Sequence, residues 1–188
     1  MRQITTITAA VTAAFIGLTT PLSAEVNPAS FNPEPLQQTS QGDPVQRFQS
    51  NDPEMAAAVA EACARLDRFF GAVLNEAGVS GKSAYVKVLF PVGLDGESEM
   101  IWVGPFIRYD DGGFGGLLLN NPNYMGALKA GDQVYFDQEM ITDWSVTGKD
   151  GRQYGNYTAR VMLSRLPEAE AAPVLAAFTE NPLPKSWR

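Results

Sequence analysis

The 188-residue sequence contains no histidine and a single cysteine. Without histidine the chain cannot build a serine–histidine or cysteine–histidine nucleophilic pair, or a metal site with imidazole ligands. One cysteine cannot form an internal disulfide, and carboxylates with a single thiol rarely hold zinc, copper or iron. We therefore expect neither a metal nor a cofactor.

Basic residues are also scarce, with 14 lysines and arginines against 21 acidic residues and a formal net charge of −7. Such a balance repels phosphate backbones and anionic lipid surfaces, so we expect no nucleic-acid binding. It favours a cationic partner, although the simpler explanation, which we prefer, is that the charge keeps an exported protein soluble.

A long uninterrupted apolar run is absent from the first 24 residues. Arg2 precedes a short apolar region, Ala9 to Leu18, and Pro21-Leu22-Ser23-Ala24 is typical of a cleavage site. Threonines and Pro21 interrupt the roughly 20 apolar residues that a membrane span needs. We predict a cleaved signal peptide over residues 1–24, and a periplasmic or secreted protein without a membrane anchor after cleavage.

Residues 25–51 are rich in Pro, Gln, Asn and Ser and show no helical or strand periodicity. This composition predicts a disordered leader.

A helix is predicted from Asp52-Pro53-Glu54, which combines a capping side chain, a proline suited to the first turn and an acidic residue near the positive end of the dipole. Apolar residues then recur at steps of three and four from Met55 to Leu74, and Gly78 marks the end. Cys63 falls on this stripe and is predicted to be a buried, inert thiol.

Strands are predicted where apolar and polar residues alternate, at residues 84–90, 97–109, 117–119 and 133–136. Residues 110–116, with four glycines, are predicted to form a loop. Residues 140–163 are predicted to form a hairpin that turns at Lys149-Asp150-Gly151-Arg152. Residues 167–179 are predicted to form a short amphipathic helix, before a frayed tail containing Pro182 and Pro184.

The predicted fold class is α+β, with a domain over residues 52–166 followed by a C-terminal helix and tail at 167–188. A long N-terminal helix would pack on a strongly twisted antiparallel sheet of five or six strands, with a partly open barrel as the alternative.

Two glycine-containing segments do not carry nucleotide-binding spacing. Gly81-Lys82-Ser83 lacks the first glycine of a phosphate loop, because position 76 is a glutamate, and it leads into a strand rather than a helix. The glycines at 112–116 lack the dinucleotide-binding spacing. Asp110-Asp111-Gly112 does not follow the calcium-loop pattern.

Polar residues on the predicted strands form the remaining functional candidate: Lys87, Glu99, Asp143, Tyr157 and Arg160. One interpretation is architectural: an Asp143–Arg160 ion pair fixes the hairpin register, and Trp144 and Tyr157 are core or edge aromatics. Another is a ligand groove for sugars, peptides or a protein, whose candidate residues are Trp102, Asp143, Trp144, Tyr157 and Arg160.

An ordered set of short motifs carries a resemblance. Its members are Ala84-Tyr85-Val86-Lys87-Val88, Glu99-x-Ile101-Trp102-Val103, Gly116-x-Leu118, Asn120-x-Pro122, Leu128-x-x-Gly131-Asp132-x-Val134, Asp143-Trp144 and Gly155-x-Tyr157-Thr158-x-Arg160. Over residues 52–163 the chain resembles the YegJ-like bacterial family, domain of unknown function number 2314. The resemblance implies a small α+β domain of bacteria, and it does not indicate which activity the domain has.

The residues favour an exported, non-catalytic binding or interaction module whose partner is an unknown protein or envelope component. The alternative is a carboxylate-dependent hydrolase of cell-wall material, in which Glu99 and Asp143 would do acid and base work across a cleft. A purely structural envelope protein is a third hypothesis.

Overall fold

A computed structural model describes residues 52–92 and 98–187. The predicted signal peptide, the predicted leader and the predicted turn at residues 93–96 lie outside the described residues.

The described residues form four α-helices and six strands. In chain order these are α1 (Pro53–Cys63), α2 (Leu66–Val73), β1 (Ala84–Pro91), β2 (Ser98–Arg108), β3 (Phe114–Leu118), β4 (Gln133–Phe136), β5 (Ile141–Thr147), β6 (Gln153–Gly155), α3 (Tyr157–Ser164) and α4 (Glu168–Leu175). Short 3-10 helices occupy Gln138–Met140 and Lys185–Trp187.

The predicted helix start is confirmed. The Asp52 side chain accepts the backbone N–H groups of Glu54 at 3.1 Å and Met55 at 3.2 Å, and Pro53 is the first residue of α1. These bonds satisfy two of the donors that a helix leaves free at its first turn.

The single long helix was wrong, because the chain breaks it between Cys63 and Leu66. Arg65 leaves helical geometry at φ −115° and ψ 4°, so α2 starts afresh. The break lets α2 place Phe69 and Phe70, which are 0% and 3% exposed, against the sheet. Beyond Val73 the chain is already extended and does not continue to Gly78.

The sheet has the strand order β4-β3-β2-β1-β5-β6, with every neighbouring pair antiparallel. It is open, with β4 and β6 at opposite edges, and the barrel alternative was therefore wrong. We call the face that packs on α1 and α2 the inner face and the opposite face the outer face. Inner-face core residues are Val86, Val88, Phe90, Ile101, Val103, Phe106, Phe114, Leu118, Val134 and Phe136.

Burial of this core stabilises the fold, since each large apolar side chain taken out of water contributes about 1.5–3 kcal/mol. Phe69 at its centre stacks on Phe106 and on Trp144, with ring centroids 6.1 Å and 5.0 Å apart.

The glycine-rich segment is half strand, although we predicted a loop over residues 110–116. β3 begins at Phe114, and Gly116 lies in it at a place where a larger residue would not fit. A Cβ at Gly116 would lie 2.4 Å from the Val103 side chain. The opposing β2 shifts register between Val103 and Phe106, where the Gly104–Pro105 peptide is cis; the predicted bend at Gly104-Pro105 is thus confirmed.

The predicted hairpin is correct in its first strand and turn but wrong beyond Gly155. Gly155 and Asn156 take left-handed conformations, with φ of 74° and 57°, and these end the strand. The next eight residues, Tyr157–Ser164, form α3 instead of a strand. Their alternation of apolar and polar residues was therefore a false signal.

The C-terminal helix is confirmed as α4, but the tail after it does not fray. It runs beside β6: the Gln153 N–H donates to the Ala177 carbonyl at 2.8 Å, the Thr179 N–H to Gln153 at 3.0 Å, and the Gly155 N–H to Pro182 at 2.8 Å. The tail therefore covers the edge of β6 that does not pair with β5.

Candidate functional site

Asp143 is a buried hydrogen-bond acceptor at the N-terminus of α3, not an open ligand contact. One carboxylate oxygen accepts the N–H groups of Trp144 at 2.8 Å and Tyr157 at 3.1 Å. The other accepts the Thr158 N–H at 2.8 Å and the Thr158 hydroxyl at 2.6 Å. Burial raises the pKa of Asp143, and these hydrogen bonds oppose that rise.

Lys87 lies beside this cluster, because β1 pairs it with Asp143 on one side and Trp102 on the other. Its Nζ donates to the Thr158 hydroxyl at 3.1 Å and lies 5.5 Å from the centre of the Trp102 ring. Lys87 is 9% exposed, and burial lowers its pKa while Asp143 opposes the shift. The Thr158 hydroxyl thus links the amine to the carboxylate.

Trp144 and Tyr157 belong to the core and do not line a groove. Trp144 is 0% exposed, its indole N–H donates to the Ala62 carbonyl at 3.1 Å, and its ring meets Tyr157 edge-on at 5.5 Å. Trp187 from the tail covers it at 5.6 Å. Burial raises the pKa of Tyr157 to about 12.

Arg160 holds the tail and does not pair with Asp143, which contradicts the ion-pair interpretation. Its Nε donates to the Gly155 carbonyl at 2.9 Å and one terminal nitrogen donates to the Thr179 carbonyl at 2.8 Å. The guanidinium also lies 5.1 Å over the Phe178 ring. Arg160 is therefore a clamp between β6 and the C-terminal segment.

Glu99 and Asp143 do not face a common cleft. Glu99 is the cross-strand partner of Phe90 on the inner face, whereas Asp143 is the partner of Lys87. The Glu99 oxygens accept the backbone N–H groups of Asn123 at 2.8 Å and Tyr124 at 2.9 Å, so this carboxylate fixes the loop between β3 and β4. The geometry gives no support to the proposed acid–base pair.

Of the five predicted site residues, Trp102 and Arg160 are half-buried and the other three are buried. Trp102 is the half-buried one on the sheet, and it lies on the outer face. Leu119 follows β3, donates its N–H to the Trp102 carbonyl at 2.9 Å and is 38% exposed. Tyr135 of β4 is 37% exposed on the same face. The outer face therefore presents apolar and aromatic side chains to solvent at several strands.

Sequence reasoning missed the roles of Thr158, Gly155 and Asn156. Gly155 followed by Asn156 was a usable signal, since both residue types tolerate positive φ and commonly end an element. Nothing local marked Thr158, whose partners lie 15 and 71 positions away in the chain.

An open cleft of about 930 Å³ lies between β6 and the tail. Its charged lining residues are Asp150, Arg152, Glu180 and Lys185. The charges are mixed, and none of the five predicted site residues lines it.

Within residues 52–92 and 98–187, cysteine and acidic side chains do not gather into a group of three or more that could hold a metal ion. No helix of that part of the chain has the length and apolar character needed to cross a membrane.

Comparison with known proteins supports the resemblance. The chain is 31% identical over 81 residues to the uncharacterized protein YegJ of Escherichia coli (strain K12), an alignment that covers 43% of this chain and 52% of that protein. The chain thus spans about half the length of this relative. No solved structure matches. Residues 52–178 match the model of a family described as an uncharacterized protein conserved in bacteria, DUF2314, and the chain belongs to that family.

Proposed function

We propose that this protein is an exported, non-catalytic interaction module of the bacterial envelope, and that it binds a partner through the outer face of its sheet. The observation that carries the proposal is the partly open Trp102 ring, flanked by Lys87 at 5.5 Å and by the 38% exposed Leu119. Exposed aromatic and apolar side chains are typical of binding surfaces.

A non-catalytic role fits the state of the two buried carboxylates. Asp143 accepts four hydrogen bonds from the protein, and Glu99 accepts bonds from Asn123 and Tyr124. A general acid or base must reach a substrate proton with a free oxygen. These carboxylates are instead committed to holding a helix and a loop.

Export is supported by the character of residues 1–24, and the acidic composition favours a cationic partner. Export can be tested by expressing the full chain in bacteria, separating the cell fractions and weighing the mature protein. We expect a periplasmic or secreted product that starts at Glu25. An uncleaved product in the cytoplasm would contradict export.

Binding can be tested with the mature protein as bait for envelope extract, followed by direct binding measurements with each purified captured protein. Trp102→Ala and Leu119→Ser should abolish binding. Leu175→Ser is the matched control, because Leu175 is 40% exposed on α4. Circular dichroism checks that each variant is folded. Equal binding by all folded variants, or no specific partner at all, would overturn the proposal.

A further inference from the structure

The two edges of the sheet differ. The tail covers β6 with three backbone hydrogen bonds. At the opposite edge, β4 pairs with β3 on one side, and within the described residues no strand pairs with its other side. Alternate residues of β4 therefore direct backbone N–H and C=O groups away from the sheet.

The open edge is held in a fixed, extended form. Val134 and Phe136 are 3% and 1% exposed and anchor β4 to the core, while Tyr135 is 37% exposed beside the edge. The β3–β4 register runs without a bulge, and β4 contains neither proline nor lysine. Bulges, prolines and lysines are features by which proteins commonly block an edge strand from pairing.

Acidic residues surround this edge. Asp132 and Asp137 stand at the two ends of β4, and Glu139 follows two positions later. Burial and the negative charges of Asp111 and Asp137 raise the pKa of Tyr135. Lys129 is the basic residue of the turn that leads into β4.

Two alternative occupants of this edge, a second copy of the chain and residues 25–51, are disfavoured by charge. Antiparallel pairing of β4 with a second copy would set Asp132 opposite Asp137 of the copy, and like charges at such positions are destabilising. Residues 25–51 carry three acidic residues and one arginine, with four prolines, so this segment is both repelled and poorly suited to pairing.

We propose that β4 is a docking edge for an extended segment of a partner protein that is rich in lysine or arginine and adds to the sheet as a seventh strand. Backbone hydrogen bonds would hold the added strand, and the acidic residues at both ends would select basic side chains. This inference rests on the proposed interaction function and specifies the class of segment recognised.

The probe is an end-capped seven-residue peptide of alternating lysine and valine. A control peptide keeps the lysines and replaces each valine with proline, which cannot donate to a strand ladder. In nuclear magnetic resonance titrations of the mature protein, we expect the first peptide to shift the amides of Gln133–Phe136 and to slow hydrogen exchange of the outward-facing ones. The proline peptide should do neither.

Charge selection is tested with Asp137→Lys plus Glu139→Lys, which should weaken binding of the first peptide by about tenfold or more, roughly 1.4 kcal/mol. Glu168→Lys plus Glu170→Lys on α4 changes the net charge by the same amount away from β4. We expect this control to alter affinity by less than about threefold at moderate salt, where distant charges are screened.

Equal weakening by both double variants would show unspecific attraction and overturn the proposal. Equal binding of the two peptides, or amide shifts confined to other strands, would also overturn the proposal. Both of these results are measured on the unmutated protein. If the peptide fails while a purified envelope protein still depends on Leu119, the docking edge is wrong and the interaction function survives. If the peptide test and the Leu119-dependent binding test both fail, the docking edge and the interaction function are both wrong.

Discussion

Thr158 donates two hydrogen bonds to a single oxygen of Asp143, one from its backbone N–H at 2.8 Å and one from its hydroxyl at 2.6 Å. The same hydroxyl accepts a bond from Lys87 at 3.1 Å. One threonine thus joins the start of α3 to two neighbouring strands. Since these groups are buried, loss of one partner leaves the others unsatisfied.

Asp143→Ala should lower the free energy of unfolding by about 3–5 kcal/mol, because it leaves buried donors and a buried amine without their acceptor network. Thr158→Val keeps the shape but removes the link, and should cost about 1–3 kcal/mol. Urea denaturation followed by circular dichroism measures both. A loss below about 1 kcal/mol for Asp143→Ala would contradict the structural role that we assign to the carboxylate.

Gly155→Ala should be far more damaging than Gly151→Ala, although both glycines have positive φ, 74° and 77°. A Cβ at Gly155 would lie 2.1 Å from the Trp144 carbonyl oxygen, whereas nothing lies within 4 Å of one at Gly151. We expect Gly151→Ala to lower the free energy of unfolding by about 1 kcal/mol, from backbone strain alone. Gly155→Ala should lower it by about 3 kcal/mol or more. Similar melting temperatures for the two variants would contradict this close approach.

The strands were largely predictable because their signals are local. β1 and β4 alternate apolar and polar residues, and Gly104-Pro105 marked the irregularity in β2. Helix α3 was not predictable, because its start depends on Asp143, 14 positions earlier in the chain. Alternation over eight residues could not reveal a cap supplied by another strand.

The candidate site was hard to predict for a related reason. Ile141 to Ser145 are all buried, so the strand that carries Asp143 and Trp144 has no solvent face over that stretch. From the sequence alone, aromatic and charged residues at such positions suggest a ligand groove. In the structure they contact other parts of the protein: Asp143 accepts hydrogen bonds from the start of α3, and Trp144 packs against Tyr157. Trp102 was identified because one face of its strand remains partly open.

Asp52→Asn should remove part of the acid sensitivity of the fold. Hydrogen bonds from Arg165 and from the Met55 N–H hold the pKa of Asp52 at about 2, below its ordinary 3.8. Between these values the unfolded chain binds more protons than the folded one, so stability falls as pH falls from about 4 to 2. Stability measured across this range should fall less steeply in Asp52→Asn, while Glu76→Gln, an exposed control, should follow the wild type.

Cys63 should be alkylated in the native protein, but slowly. We expected a buried thiol, yet Cys63 is exposed, and its Sγ lies 3.3 Å from the Ile141 carbonyl. Partial burial and the Asp143 carboxylate raise its pKa, which lowers the thiolate fraction at neutral pH. Iodoacetamide at pH 7.5 should label native protein completely but more slowly than urea-unfolded protein; no labelling of the native state would show that the thiol is inaccessible.

Arg160→Ala should release the tail from β6 while leaving the rest of the sheet intact. The guanidinium bridges the Gly155 and Thr179 carbonyls and covers Phe178, so its loss removes two charge-assisted bonds and a stacking contact. Hydrogen exchange of the Gln153 and Gly155 amides, which donate to tail carbonyls, should then accelerate by about tenfold or more, whereas β1 amides should not change.

Arg160→Lys should restore little of this protection, because lysine cannot span both carbonyls with a planar fork. Lys185→Ala, on the exposed part of the tail, is the control and should exchange like the wild type. Unchanged exchange at Gln153 and Gly155 in Arg160→Ala would mean that Trp187 and the backbone ladder hold the tail without the clamp. The edge of β6 would then be sealed by packing rather than by this arginine.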